Sequence, residues 1–190
     1  NPVHEEEELE IVFEDEWLLV VNKPAGMLSV PGKAEDRDSV YHRLKKKYPE
    51  ATGPMIVHRL DMATSGLLLV AKTKEVHQDL QAQFANRSIK KRYVAVLDGA
   101  IIKTEKETKP IAEKAILIAK ETVSTKKTAK AERTGNTGRI ELPLCLNPLD
   151  RPRQIVSREH GKEAITEYRI ISESEKHIRI AFYPLTGRTH

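Results

Sequence analysis

The sequence predicts an α+β domain, and three observations carry that prediction. Short apolar or alternating runs recur at 9–13, 17–21, 67–71, 93–97, 164–171 and 178–183, each bounded by turn residues or charges, as strands are. Two segments instead space their apolar residues at helical intervals, Val40 and Leu44 within 36–48 and Val76, Leu80 and Phe84 within 74–87. These strands and helices do not alternate as regular βαβ units, which argues against a doubly wound parallel sheet.

At 190 residues the chain is long enough to bury a proper core, and we read 1–190 as one domain. Its 39% hydrophobic and 32% charged residues describe a globular body with a highly charged surface. No apolar run approaches the ~20 residues that span a bilayer, so no membrane partner is expected. Cys145, the one cysteine, sits between Leu144 and Leu146. It can form neither an internal disulfide nor a cysteine metal cluster, and reads as a small core residue in a reducing cytoplasm. The net charge of +4 is unevenly spread: residues 1–20 hold eight acids and no Lys or Arg, whereas 103–139 hold ten Lys or Arg against five Asp or Glu. Further cations collect at 43–47 and 87–92. Basic clusters of this kind suit a polyanion, although solvated helix faces account for them equally well.

Taken in order, 9–13 and 17–21 form two strands around the acidic turn Glu14-Asp15-Glu16. Residues 22–32 (Asn22-Lys23-Pro24-Ala25-Gly26-Met27-Leu28-Ser29-Val30-Pro31-Gly32) hold two prolines and two glycines and must be a shaped loop, either a plain connection or a platform beside a site. A helix follows over 36–48, capped by Asp38 or Ser39 and ended before Pro49, with Lys45 to Lys47 near its end. After the strand at 67–71, residues 74–87 form the second helix, in which His77 reads as a surface residue. The basic step Lys90-Lys91-Arg92 leads into a strand from Tyr93. Residues 100–139 form a charged insertion, read as partly mobile and either a polyanion-contacting arm or a plain surface loop, with a loop at 134–138. Residues 140–144 restore order, and two strands around a charged turn at 173–177 follow.

The chemistry-bearing stretch is His58-Arg59-Leu60-Asp61-Met62-Ala63-Thr64-Ser65-Gly66, which runs directly into the apolar strand at 67–71. A cation, a carboxylate and two hydroxyls at the mouth of a buried strand can be purely structural, an Arg–Asp pair capping a turn with the hydroxyls bonded to backbone. The full string, however, resembles the catalytic motif of the RluA family of RNA pseudouridine synthases. Other segments share the resemblance: the Asn22–Gly26 loop with the following Ser29-Val30-Pro31-Gly32, the Lys91-x-Tyr93-x-Ala95 step, Arg151-Pro152-Arg153-Gln154, Gly161-Lys162-Glu163-Ala164, and Thr186-Gly187-Arg188-Thr189-His190. The last matches the family's third motif cut in the middle, so a C-terminally truncated catalytic domain is expected.

The resemblance implies a pseudouridine synthase fold, a bent, mostly antiparallel mixed sheet flanked by helices and loops, with the active-site cleft at its centre. It implies an isomerase that converts uridine to pseudouridine in a stem-loop of ribosomal or transfer RNA, acting as a cytoplasmic monomer. The competing expectation is a catalytically silent RNA-binding module on the same fold. Isomerisation breaks the N1–C1′ bond and joins C5 to C1′ with no redox step or hydrolysis, so no cofactor and no metal are expected; nor does the chain contain a Gly-rich phosphate loop or an H-E-x-x-H motif. By the resemblance Asp61 is the catalytic carboxylate, attacking C1′ or abstracting the C2′ proton. Arg188 would keep it ionised by Coulomb attraction, and Tyr93 would stack on the uracil. Arg59 would fill the stack vacated by the flipped base, while Lys23, Lys91 and Arg92 would contact the RNA. His58 is expected to be a structural hydrogen-bonding residue, and Thr64 and Ser65 to shape the loop.

Overall fold

A computed structural model describes residues 8–32, 38–98, 130–134, 136–150 and 153–187. They fall into two compact units, Asn1–Ile89 and Lys90–His190.

The first unit is built on a three-stranded antiparallel sheet of order β1-β2-β3, with β1 Glu10–Glu14, β2 Leu18–Lys23 and β3 Gly66–Ala71. The β1–β2 turn forms where expected, because the Asp15 carboxylate accepts the amides of Trp17 and Leu18, both at 2.8 Å. Strand alternation puts Leu19, Val21, Leu68 and Val70 on one face, all fully buried. The other face meets α2, Lys74–Ala85: Ala71, Val57 and Leu80 form a buried cluster ringed by Leu18, Leu69, Val76 and Phe84. The predicted Val76–Leu80–Phe84 stripe therefore packs as core, and Thr73 caps the helix through its hydroxyl.

Helix α1 is shorter than its sequence suggests, Val40–Lys47. Ser39 caps it by accepting the amide of His42, whereas Asp38 pairs with Arg43 at 2.6 Å. Val40 and Leu44 are its buried positions, as their spacing predicts. His77 is a correction: it is 6% exposed, not a surface residue, and its Nε2 lies 3.1 Å from the Ile56 carbonyl. A buried imidazole is stable there because that carbonyl satisfies a ring N–H.

The second unit is an antiparallel sheet of order β4-β9-β8-β6-β5, with β7 pairing on β6 beside β5. Its strands are β4 Tyr93–Asp98, β5 Lys130–Thr134, β6 Thr137–Leu146, β7 Gln154–Val156, β8 Lys162–Glu173 and β9 His177–Pro184. One face carries the core of Tyr168, Ile170, Ile178 and Ile180, flanked by Leu97, Ile140 and Phe182. Most of the charged insertion, 100–129 together with 135, lies outside the described residues, but a strand begins at Lys130. Residues 130–134 and 137–139 belong to paired β5 and β6, with Thr134 opposite Thr137, so Thr134, Thr137 and Gly138 of the loop expected at 134–138 lie in strands instead. Gly138 is required opposite Tyr168, since a Cβ there would lie 2.4 Å from the tyrosine ring. Cys145 lies on β6 and is half-buried rather than a core residue, because β6 is flanked there only by short β7 and the first residue of β8.

No helix among the described residues is long and apolar enough to cross a membrane.

Candidate active site

In the first unit, residues 58–61 alternate in exposure, with His58 half-buried, Arg59 exposed, Leu60 buried and Asp61 exposed. Leu60 points into the core and so turns the guanidinium and the carboxylate on either side of it to solvent. The loop is held at every step. His58 Nε2 accepts the Leu69 amide of β3 at 3.0 Å, and its ring packs on Phe84 with centroids 4.6 Å apart. Ser29, itself buried, bonds Leu60 twice: its hydroxyl donates to the Leu60 carbonyl at 2.7 Å and accepts the Leu60 amide at 3.0 Å. The Met62 carbonyl accepts the Gly26 amide at 2.7 Å, and the Thr64 amide donates to the Asp61 carbonyl at 3.0 Å. Gly26 makes its bond at φ +89°, a conformation that strains any residue with a Cβ. Both neighbours of Asp61 are thus fastened to the 22–32 loop, which is a platform and not a plain connection.

Lys23 belongs to that platform, which corrects its expected role as an RNA contact. Its side chain is 0% exposed, and its ammonium donates to the carbonyls of Met27 at 2.7 Å, Pro24 at 3.0 Å and Met62 at 3.3 Å. An ammonium with three backbone acceptors and no solvent face has nothing left for a phosphate. Burial pushes it below the usual lysine range, and the Asp61 carboxylate draws it partway back. Two apolar side chains lie open, Met62 next to Asp61 at 44% exposure and Leu67 on β3 at 60%.

The remaining expected site residues belong to the second unit. Tyr93 opens β4 half-buried and stands in register with Phe182, which in turn faces Tyr168, so three aromatic residues cross the sheet in one row. Alternating exposure puts Lys91 on the side of Tyr93 and Arg92, exposed, on the other. Arg188 lies outside the described residues, as do Arg151 and Pro152 of the Arg151–Gln154 string. The approach to Arg188 is nevertheless anchored: Thr186 is buried, its hydroxyl accepts the Ile165 amide at 2.9 Å, and the Leu185 amide donates to the Ile165 carbonyl at 2.9 Å. Sequence reasoning passed over Ser29 and Thr186 as clamps. A small hydroxyl within a breaker-rich loop is the signal each carries. Among the described residues no group of three or more His, Cys, Asp or Glu is placed to hold a metal ion.

Comparison with known proteins adds an independent observation. A family model described as RNA pseudouridylate synthase matches residues 17–190. The dual-specificity RNA pseudouridine synthase RluA of Yersinia pestis is 37% identical over 182 residues, covering 95% of this chain and 71% of that protein. Its counterpart in Escherichia coli K12 is 37% identical over 184 residues, covering 96% of this chain and 68% of that protein. Among solved structures, human RNA pseudouridylate synthase domain containing 1 superposes with a TM-score of 0.64 at 20% identity over 96% of this chain. Human RNA pseudouridylate synthase domain containing 4 superposes with a TM-score of 0.62 at 20% identity over 95% of it. The chain spans 62% and 60% of the length of those two, and at that identity the likeness is one of fold.

Proposed function

The chain belongs to the RNA pseudouridylate synthase family, and from that premise we propose that it isomerises uridine to pseudouridine in structured ribosomal or transfer RNA, with Asp61 as the reacting carboxylate. The observation that carries the proposal is the bracing of Asp61. Its carboxylate is exposed while the backbone on both sides is fixed by Ser29, Gly26 and Lys23. A carboxylate that must meet a ribose carbon needs both properties, access for the substrate and a backbone that does not yield as the substrate arrives.

The reaction needs the N1–C1′ bond broken, the uracil turned while still bound, and a C5–C1′ bond formed. The C5 proton is then lost and N1 regains one, so atoms balance without a co-reactant. Asp61 serves either as nucleophile at C1′ or as base at C2′. Flipping the uridine out of its stack costs a few kcal/mol, and the exposed Arg59, two residues from Asp61, is the cation we assign to the vacated position. Motif resemblance supports the roles of Tyr93 against the uracil, Arg188 as the counter-ion of Asp61, and Lys91 and Arg92 on the RNA backbone. Base–aromatic stacking of ~1–3 kcal/mol would suffice to retain a detached uracil. We take 1–190 as one catalytic domain, because the family match runs across both units. A reducing cytoplasmic compartment fits the free Cys145.

The experiment is pseudouridine mapping by carbodiimide modification and primer extension on total RNA. Cells lacking the gene are compared with cells complemented by wild type or by Asp61→Asn. Sites lost on deletion and restored only by wild type support the proposal and name the substrate. Restoration by the Asp61→Asn protein contradicts the role of Asp61, and no lost site would favour a silent RNA-binding module.

A further inference from the structure

We propose that Met62 is a substrate-contacting residue, its exposed thioether seating the face of the nucleobase next to the target uridine in the RNA strand. The inference rests on the reading of Asp61 given above.

A lone exposed methionine on a protein surface needs no explanation. Met62 differs in how its backbone is held. It is the second residue of a turn that the Asp61 carbonyl closes by accepting the Thr64 amide at 3.0 Å. Its own carbonyl accepts twice, from the Gly26 amide at 2.7 Å and from the buried Lys23 ammonium at 3.3 Å. The backbone at Met62 is therefore fixed to the 22–32 platform, while its side chain is 44% exposed. Met27 and Met55, the other methionines of the chain, are 2% and 0% exposed. A fold that encloses two methionines holds the third in water, one residue from the reacting carboxylate.

The chemistry around Met62 selects its ligand. Pro24, Ala25 and Gly26, the stretch bonded to it, are exposed and uncharged, and so is Ala63. Lys23 has its ammonium engaged by three carbonyls. A phosphate docking on this stretch would find no cation there and would lie beside the Asp61 carboxylate. An aromatic face suits it better, because a thioether sulfur is polarisable and packs favourably against aromatic rings. Every nucleobase offers such a face.

Position names the base. Consecutive Cα atoms lie ~3.8 Å apart, and a reacting carboxylate must come within about 3–3.5 Å of the ribose carbon it meets. A nucleotide that brings its ribose to Asp61 therefore brings its strand over Met62. In the reading above the ribose lies at Asp61 and the uracil against Tyr93. The aromatic face left for Met62 is that of the adjoining nucleotide. A contact there holds the strand while the target uracil detaches and turns, and it tolerates any base, as stacking does.

Methyl NMR tests the contact directly. The full chain is isotope-labelled at its methionine methyls, and the probe is a short hairpin RNA transcribed around the uridine that mapping identifies. The Met62 methyl should move upfield under the ring current of the base and show NOEs to base protons. The enclosed Met27 and Met55 methyls should stay in place as internal controls. Inorganic polyphosphate, an anion without bases, should leave all three in place. A Met62 methyl that stays put at saturating RNA, or that polyphosphate moves as far as RNA does, would overturn the proposal.

Kinetics supply the second test. Met62→Ala should lower kcat/KM about tenfold, mainly through KM, the ratio that partial burial of a methionine side chain supplies. Met62→Leu should recover most of that loss. Each base flanking the target is then replaced in turn by an abasic residue. One of the two replacements should cost wild type a similar factor and cost Met62→Ala little more. Additive losses at both positions would also overturn the proposal. If mapping identifies no uridine, the functional reading fails; unmodified transfer RNA then serves as the probe, and the methyl shifts judge the contact by themselves.

Discussion

Lys23 illustrates how burial reassigns a charged residue. By the family resemblance, Lys23 in its proline-rich loop is expected to contact RNA; in the structure its stem is wholly enclosed and its ammonium gathers three carbonyls, one of them from Met62 next to Asp61. Removing the ammonium leaves those acceptors dry. Each such loss costs about 1–3 kcal/mol, and with partial relaxation Lys23→Met should lower stability by about 2–4 kcal/mol in urea unfolding. A change under about 0.5 kcal/mol would show that the three bonds do not hold the platform. His58 and His77 make the same point in reverse. Both are imidazoles engaged with backbone, one accepting from Leu69 and one meeting the Ile56 carbonyl, and neither role has a distinctive sequence signature.

At the scale of elements, the end of the first sheet where β3 finishes, opposite the end it enters from the catalytic loop, is joined by a small polar network. The Glu14 carboxylate at the end of β1 accepts from Lys72 at 2.7 Å and from the Tyr48 hydroxyl at 2.9 Å, while Lys72 also donates to the Asp15 carbonyl at 2.6 Å. One carboxylate thus links β1, the residue after α1 and the residue after β3. The Lys72 bond, followed by the Tyr48 bond, holds Glu14 below the usual glutamate value of 4.5. Its contribution is therefore fully present above that value and is lost as pH falls through the lowered one. Tyr48 behaves in the opposite sense: burial, then its bond to Glu14, pushes it up to about 12, so its contribution is present below 10.0 and lost as pH rises towards 12. Glu14→Gln should remove the acid component, so that the loss of stability it causes at pH 7 shrinks as pH falls below 4.5; a loss that stays constant with pH in acid unfolding would contradict this. In the second sheet the equivalent constraint is steric. Gly138→Ala places a methyl against the buried Tyr168 ring and should destabilise by about 1–3 kcal/mol in denaturant unfolding. That effect should be mostly absent when Tyr168 is first replaced by Leu, and a purely additive double variant would refute the contact.

For the molecule as a whole, most elements could be read from local pattern, because each has a local cause. The Asp15 turn, the Ser39 and Thr73 caps, the 76–80–84 stripe and the alternation of β8 and β9 are each contained within a dozen residues. What escaped the sequence depends on partners distant in the chain: Ser29 reaching Leu60, Lys23 reaching Met62, Ile165 reaching Thr186, and β5 pairing with β6 instead of remaining a loop. The candidate site was legible as a motif and illegible as a mechanism of support, since the string at 58–66 names Asp61 but not what holds it. The account turns on that one carboxylate. Its most direct test is single-turnover release of tritium from C5-labelled uridine in a substrate RNA, comparing wild type with Asp61→Asn at equal RNA affinity and unchanged fold. The account predicts that wild type releases tritium and forms pseudouridine, while Asp61→Asn is slower by at least about a thousandfold. Comparable release by the two proteins would contradict it.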